Sequence, residues 1–477
     1  MTNRLIACMA LLSLFICNDS KPSQAAENQM SLADCVATTV QENRTIKNAY
    51  LDRIVQKYDL RVAEDKFTPK LLLTPQVQST GKRGSPITTT VSDASGTVTE
   101  ILPTGAKINL TGKYDLTSTE NARPASSYGW GISLNQPLLK GGGLDVNLAS
   151  VRTARLNEQG NILSLKDTVM NTLISVVKAY RSYVQAIKSL EISRQSLERS
   201  RELIETNREL IAAGRMAAVE IVQSEADLAN KEFSLLSAEN AVDAARLALT
   251  KAIDIDKNSR INPDTNAPPI PIVPYSFMQA TQLAFENRPD YQRSLLGYES
   301  AKIQLVTAKN STLWDLGLGL SYAENYTRNG PPGSDSTTGS WVVGLGLTIP
   351  IGDLSIQQAY ISADIGLKKI ENDLARQRES IEIEVQDALR SAEMNHRQIK
   401  LATLSRTLSE KKVEIETEKL KAGRSTNFQL VSYQNDLVNA QNSELSAVIN
   451  YLNALTDLDK TVGVTLEKFG ISLVERN

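Results

Sequence analysis

The chain has 477 residues, 5% aromatic side chains and a formal net charge of −2. That balance gives no whole-protein electrostatic case for binding nucleic acid, and so few aromatics argue against large aromatic-rich cores. Charges of both signs are spread along the helical stretches, as on solvated helix faces.

The first residues read as a secretory signal. Arg4 gives a minimal positive start, and Leu5 to Cys17 is an apolar run too short to span a bilayer. Ser23-Gln24-Ala25 places small residues at the cleavage-determining positions, so cleavage is expected after Ala25 or Ala26. Lipidation at a cysteine is the alternative, and it fits less well. Ile16 stands before Cys17 where a small residue is expected, and Cys8 has almost no apolar run before it. Processing leaves Cys35 alone, so no intramolecular disulfide or cysteine metal cluster is expected. His396 is the only histidine. After the signal no stretch has the roughly 18 apolar residues of a membrane helix. An exported chain of this kind is periplasmic, secreted or an outer-membrane β-barrel.

Residues 31–66 read as a helix. Strand alternation follows at 71–80, is weaker over 87–101, and is clear over 105–117 and 128–138. Segment 87–101, with Thr89, Asp93, Ser95 and Thr97, lacks an aliphatic face and is expected off the membrane or in a surface loop. Leu102-Pro103-Thr104-Gly105 reads as a turn facing the periplasm. Lys140-Gly141-Gly142-Gly143 has its glycines in the wrong order for a nucleotide loop and reads as a strand-to-helix turn.

A long helix follows from about Leu144 to Ile211. Val169, Val176, Tyr183, Leu190, Leu197, Ile204 and Ile211 recur at seven-residue spacing, with Leu173, Tyr180 and Ile187 between them. This is a coiled-coil seam. Its second series then turns into Arg194, Arg201 and Arg208. A further helix covers 217–253, and the proline-rich residues 257–275 read as an extended strap.

The second half repeats the first. A helix is expected over 276–310, and strands follow around Leu316–Tyr322 and Trp341–Ile349, separated by a loop carrying Pro331-Pro332-Gly333. A long helix from Ser355 to Leu420 has a weaker seam of Val385, Ala392, Ile399, Val413 and Leu420, and a last helix covers 426–462. Ala213-Gly214-Arg215 recurs as Ala422-Gly423-Arg424, Asp227-Leu228 with Asn230 as Asp436-Leu437 with Asn439, and Glu42-Asn43-Arg44 as Glu286-Asn287-Arg288. The expected division is therefore 1–25 signal, 26–256 first repeat, 257–275 strap and 276–477 second repeat. Each long helix would span about 100 Å, matched by two shorter helices stacked end to end.

In these strands one face is aliphatic with Tyr or Trp near an end, and the other is Gly, Ser, Thr and Asn. A transmembrane barrel strand has this pattern, and so does a soluble sandwich with one buried face. The few strands of one chain cannot close a barrel, and open edges are not tolerated in lipid. Closure therefore calls for several copies, with a helical tube attached to a shared barrel.

With these features the chain resembles the TolC-type outer-membrane efflux proteins over essentially its whole mature length. The resemblance rests on the duplicated helix starts (Ala37 to Arg44, Ala280 to Pro289), on the strand ends Gln136-Pro137-Leu138-Leu139 and Ile349-Pro350-Ile351-Gly352, and on the two hairpin tips. It implies an α+β membrane fold: a trimer sharing a twelve-stranded barrel in the outer membrane, with long helical hairpins forming a periplasmic α-barrel. It also implies partners, namely a periplasmic adaptor (membrane fusion) protein, an inner-membrane transporter and outer-membrane lipid, but no nucleic acid. The function implied is a passive exit duct of a tripartite efflux or type I secretion system, with no cofactor, metal or catalytic residue.

In the family the tips form the periplasmic entrance, with an acid six positions after the tip glycine. Here that acid is Glu220 after Gly214, but Gln429 after Gly423, and Ser432 stands where members can also carry an acid. The tip or gate set is therefore Gly214, Arg215, Glu220, Gly423, Arg424, Gln429 and Ser432. Glu220 also reads as a solvated first-turn acid favoured by the helix dipole. A trimeric coiled-coil surface protein without a transport role is the alternative function. It explains the heptads but leaves the duplicated strands and helices without a reason.

Overall fold

The computed structural model describes residues 29–81, 84, 87–120, 122–259, 261–265, 270–273, 275–329 and 335–472. The signal reading, Pro268, Pro269 and Pro274 of the strap, and Pro331-Pro332-Gly333 lie outside the described residues. In chain order the elements are β1 (Gln29–Met30), α1 (Leu32–Glu42), α2 (Arg44–Glu64), β2 (Lys70–Gly81), β3 (Thr88–Ile101), β4 (Lys107–Thr119) and β5 (Ala125–Pro137). Next come α3 (Leu144–Asn147), α4 (Ala149–Ala212), α5 (Glu220–Ile253), β6 (Asn262–Pro263), α6 (Phe277–Asn287) and α7 (Pro289–Ser311). The chain continues with β7 (Asp315–Asn329), β8 (Ser336–Thr348), α8 (Ser355–Lys421), α9 (Asn427–Val462) and α10 (Thr465–Lys468).

The two helices expected over 31–66 and 276–310 are each broken near their start. Ser31 caps α1 with a capping box: its hydroxyl accepts from the Asp34 N–H, and the Asp34 carboxylate accepts from the Ser31 N–H. The helix stops at Asn43, whose side-chain amide donates to the Ala252 carbonyl at 3.1 Å. The Arg44 N–H donates to the Asp254 carboxylate at 2.9 Å. Asn43 and Arg44 thus engage the C-terminal end of α5. Ser276 makes the same box with Gln279, and Pro289 at the first position of α7 fixes the second break.

The chain forms two compact units. The first holds the segment up to Arg44 with Thr172–Ile272 and Ala392–Ala454. Cys35, Val176, Tyr180, Tyr183, Leu249, Ile253 and Ile261 form one of its cores. Burial pushes the Cys35 thiol up to about 11, which makes it an unreactive core residue. The His396 ring packs against Tyr451 in a tilted arrangement, with centroids 5.1 Å apart and 55° between the planes.

The heptad seam of α4 holds, and the arginine series has a physical reason. The partners of Val176 and Tyr183 are Tyr180 and Ile187, four residues on. Beyond Leu197 and Ile204 the buried partners are Ser200 and Asn207, three residues on. The stripe shifts by one position, so Arg194, Arg201 and Arg208 fall on a solvated face. There Arg201 and Arg208 pair with Glu198 and Glu205 of the same helix. The gap in the α8 seam is filled by Arg406, which bonds Glu444 at 2.6 Å and Glu410 at 2.9 Å.

The second unit holds Thr45–Asn171, Val273–Ser391 and Leu455–Asn477. Its sheet has the order β2-β3-β4-β5-β7-β8, antiparallel throughout. The expectation for residues 87–101 is corrected here. Far from being a loop, β3 is an interior strand, paired from end to end with β2 on one side and β4 on the other. Ala280, Ala284, Tyr291, Ile381, Val385 and Leu458 form a helical core in the same unit. Arg53 of α2 pairs in a fork with Glu158 of α4.

Lys140-Gly141-Gly142-Gly143 is the strand-to-helix turn that was expected. The Gly141 N–H donates to Asn310 Oδ1 at 2.7 Å, and Asn147 Nδ2 donates to the Gly141 carbonyl at 2.8 Å.

Candidate functional site: the helix turns at Gly214 and Gly423

Both long helices end in the same way. Gly214 and Gly423 sit at φ +68° and +71°. The Arg215 N–H donates to the Leu210 carbonyl at 2.8 Å, and the Arg424 N–H donates to Lys419 at 2.8 Å. These are Schellman ends, which need a left-handed residue. A Cβ at either glycine would meet nothing within 4 Å, so backbone conformation rather than crowding calls for glycine.

The returns then differ. The first runs through Ala217-Ala218-Val219 with no side-chain cap, and the half-buried Glu220 opens α5. There an acid next to free N–H groups is stabilising. At the second, Thr426 Oγ1 accepts from the Gln429 N–H at 3.3 Å and caps α9. The Ser425 hydroxyl donates to Glu416 Oε1 at 2.5 Å, and Lys419 lies 3.1 Å from the same carboxylate. The Ser425 bond, with Lys419 second, holds the Glu416 carboxyl below its ordinary range. Thr426→Ala is expected to cost about 1 kcal/mol through loss of the cap. Faster hydrogen exchange confined to the first turn of α9 checks it.

Arg215 and Arg424 are exposed, and Gln429 and Ser432 are half-buried. Among the described residues, the side chains of Arg215, Arg424 and Glu220 make no ion pair, so one chain does not bring these charges together. Glu220 engages its neighbour through its backbone, its carbonyl accepting from Asn427 Nδ2 at 3.3 Å.

What joins the helices next to the turns is a buried polar file that the sequence reading missed. Asn207 of α4 is fully buried. Its amide donates to Ser224 Oγ of α5 at 2.7 Å and to Asn427 Oδ1 of α9 at 2.9 Å. Further along, Ser200 donates to Asp227 at 2.9 Å, and Lys231 reaches both Asp227 and Asn435. Leu203, Val413, Leu420, Leu430 and Leu437 form a buried apolar cluster near the same turns. The available signal was the duplicated aspartate: Asp227 is buried, whereas its counterpart Asp436 pairs with Lys412 in solvent at 3.4 Å. No group of three metal-ligating side chains occurs among the described residues.

A family described as outer membrane efflux protein matches residues 37–254 and 280–464. The chain belongs to the outer membrane efflux protein family. In fold, this efflux protein is similar to VceC, an outer membrane protein of Vibrio cholerae, with a TM-score of 0.68, 14% identity, and 91% of this chain and 96% of that one covered. It is similar to the CmeC outer membrane channel of Campylobacter jejuni at a TM-score of 0.65, 16% identity, and 91% and 86% coverage. The open state of the MtrE outer membrane channel of Neisseria gonorrhoeae matches at 0.63, 15% identity, and 91% and 89% coverage. No curated protein matches this efflux protein in sequence.

Proposed function

We propose that three copies of this efflux protein form a passive exit duct through the outer membrane. A periplasmic adaptor and an inner-membrane transporter would load the duct from the periplasmic side. The observation that carries the reading is the sheet, largely apolar on one face and polar on the other, whose edge strands β2 and β8 each pair on one side only among the described residues. Bare edges facing lipid cost several kcal/mol per unsatisfied group, and edge pairing between copies removes them. Family membership supports the transport role and fits a channel rather than an enzyme. The same reading takes residues 1–25 as a removed leader, and 26–256 and 276–477 as duplicated halves joined by the strap 257–275. Matching capping boxes at Ser31 and Ser276 and matching Schellman ends at Gly214 and Gly423 favour the duplication.

The turns at Gly214 and Gly423 would be the entrance and the adaptor's docking surface. Val219, Val222 and Phe428 leave apolar surface exposed there for a partner. Arg215, Glu220 and Arg424, unpaired within one chain, would pair between copies.

Purified protein in a planar bilayer tests the duct, with native mass measurement for the trimer. A stable monomer that keeps its β-structure, or a trimer without a defined conductance, would overturn the reading. The second outcome would favour a coiled-coil surface protein. Glu220→Ala and Arg424→Ala are each expected to raise resting conductance modestly without loss of the trimer. Exposed pairs of this kind are worth about 0.2–1 kcal/mol each. Unchanged conductance and export in both variants would reduce these charges to solvated caps.

A further inference from the structure

We infer that each copy supplies six strands to the membrane wall, so that three copies close an eighteen-stranded barrel rather than the twelve-stranded one the resemblance implies. This rests on the trimeric duct proposed above and concerns the β2–β3 hairpin. The first observation is register. Directly opposed residues of antiparallel strands share a face, so the pairing can be followed across the whole sheet. One face runs from Trp341, Val343, Leu345 and Leu347 of β8 to Tyr322, Leu320, Leu318 and Leu316 of β7. It continues through Trp130, Ile132 and Leu134 of β5 to Tyr114, Leu110 and Ile108 of β4. It then passes to Ala94, Gly96 and Val98 of β3, and ends on Leu71, Leu73, Pro75 and Val77 of β2. An apolar row crosses all six strands, from Trp341 through Tyr322, Ile132, Leu110 and Val98 to Leu71, with Glu324 and Glu100 on the same face in the neighbouring rows.

The opposite face is polar over the same width. Thr99 donates to Asn109 at 3.0 Å, Asn109 donates to Ser133 at 3.2 Å, and Ser127 donates to Asp115 at 3.1 Å. Asp93 of β3 lies opposite Asp115 of β4 on this face. The pattern is that of a barrel wall, lipid on one side and water on the other.

The small residues that hid β3 in the sequence have a packing reason. A Cβ on Gly96 would lie 3.1 Å from Leu73 Cδ2. The large side chains of β2 lean over β3, and its small residues make room. Its 14 residues exceed the 9–11 or so that a tilted membrane strand needs.

The hairpin is also pinned at its base. At the β3–β4 turn Gly105 sits at φ +93°, and a Cβ there would lie 2.5 Å from the Gly141 carbonyl. Thr104 and Gln136 exchange bonds across this contact at 3.1 and 3.3 Å, and the Gly143 N–H donates to the Thr104 carbonyl at 3.1 Å. The β3–β4 turn therefore shares one level with the turn leaving β5, and the hairpin cannot swing off the sheet without breaking these contacts. At the outer edge, Leu71, Leu73 and Val77 are 63–72% exposed, a surface unsuited to a free edge in water. The occupant that fits is β8 of the next copy, whose Trp341, Val343, Leu345 and Leu347 are also exposed. Pro75 withdraws only one donor from the twelve-residue β2. Since barrel diameter grows roughly linearly with strand number, the duct would be about half again as wide as a twelve-stranded one.

Spin labels on the purified trimer in liposomes test this, placed singly at Leu73, Ala94, Val98 and, as a reference, Val343 in a Cys35→Ala background. Collision with oxygen reports lipid, and collision with a water-soluble nickel chelate reports water. The expected result is the same oxygen preference at Leu73, Ala94 and Val98 as at Val343. Oxygen preference at Val343 with nickel preference at Ala94 and Val98 would overturn the six-stranded contribution and leave the duct standing. Nickel preference at all four positions would overturn both. Leu73, on an edge strand and exposed, decides the matter if a label in β3 prevents assembly.

Discussion

Arg53→Ala will destabilise the fold by about 3–5 kcal/mol, the range for breaking a buried ion pair by removing one partner. Arg53 and Glu158 are 8% and 14% exposed, and they share two bonds, one of them 2.8 Å long. Truncating Arg53 leaves the carboxylate of Glu158 desolvated on α4 with its main partner gone. The desolvation of two charges offsets most of what the intact pair gains, so Arg53→Met with Glu158→Leu should fall close to the original stability. Thermal loss of helicity in the purified protein measures both. Equal losses in the single and double variants would mean that the intact ion pair adds net stability that apolar packing does not replace.

The pair also fixes a pH dependence. The Arg53 hydrogen bond, ahead of every other influence, holds the Glu158 carboxyl below its ordinary range. A carboxyl whose folded pKa is depressed adds stability that is fully present above its unfolded pKa, about 4.3. That stability is lost as pH falls through the lower folded value. Glu158→Gln should remove this portion of the acid sensitivity and leave the variant less stable at pH 7. A variant with undiminished acid sensitivity would place the titration at other carboxylates, such as Glu416 or Asp290, which are also held low.

Periodicity made most of the fold legible. Seven-residue spacing marked α4, and the burial of Val169, Val176, Tyr183, Leu197 and Ile204 follows it. Clear alternation marked β4, β5, β7 and β8. The interruption at Asn43 was not legible, because what stops α1 there is a side chain that engages the end of α5 some two hundred residues away in the chain. β3 was misread because a strand beside large neighbours is filled with small residues, and alternation of aliphatic side chains does not register them. At the helix turns, Gly214 and Gly423 stood out from repetition alone. Asn207 did not, since a buried amide in a seam shows only when its partners Ser224 and Asn427, on two other helices, are known.

On the reading that these turns are the gate, Asn207→Ala should open it more than either exposed-charge variant. Its amide joins α4 to α5 and to α9, all within the buried core. Removing it leaves Asn427 Oδ1 and Ser224 Oγ without the amide that donates to them, and buried polar atoms left in this way cost about 1–3 kcal/mol. If the cost falls on the packed arrangement of the turns alone, the open-to-closed ratio rises about 5–150-fold. Resting conductance of single trimers in a planar bilayer reads that ratio directly. Arg53→Ala is the control: it weakens the protein without touching the turns, and should lower thermal stability while leaving resting conductance unchanged. Raised conductance in both variants would mean that any loss of stability opens the duct. Unchanged conductance in Asn207→Ala, with the trimer intact and a measurable loss of thermal stability, would confine Asn207 to the core and return the gate to Arg215, Glu220 and Arg424.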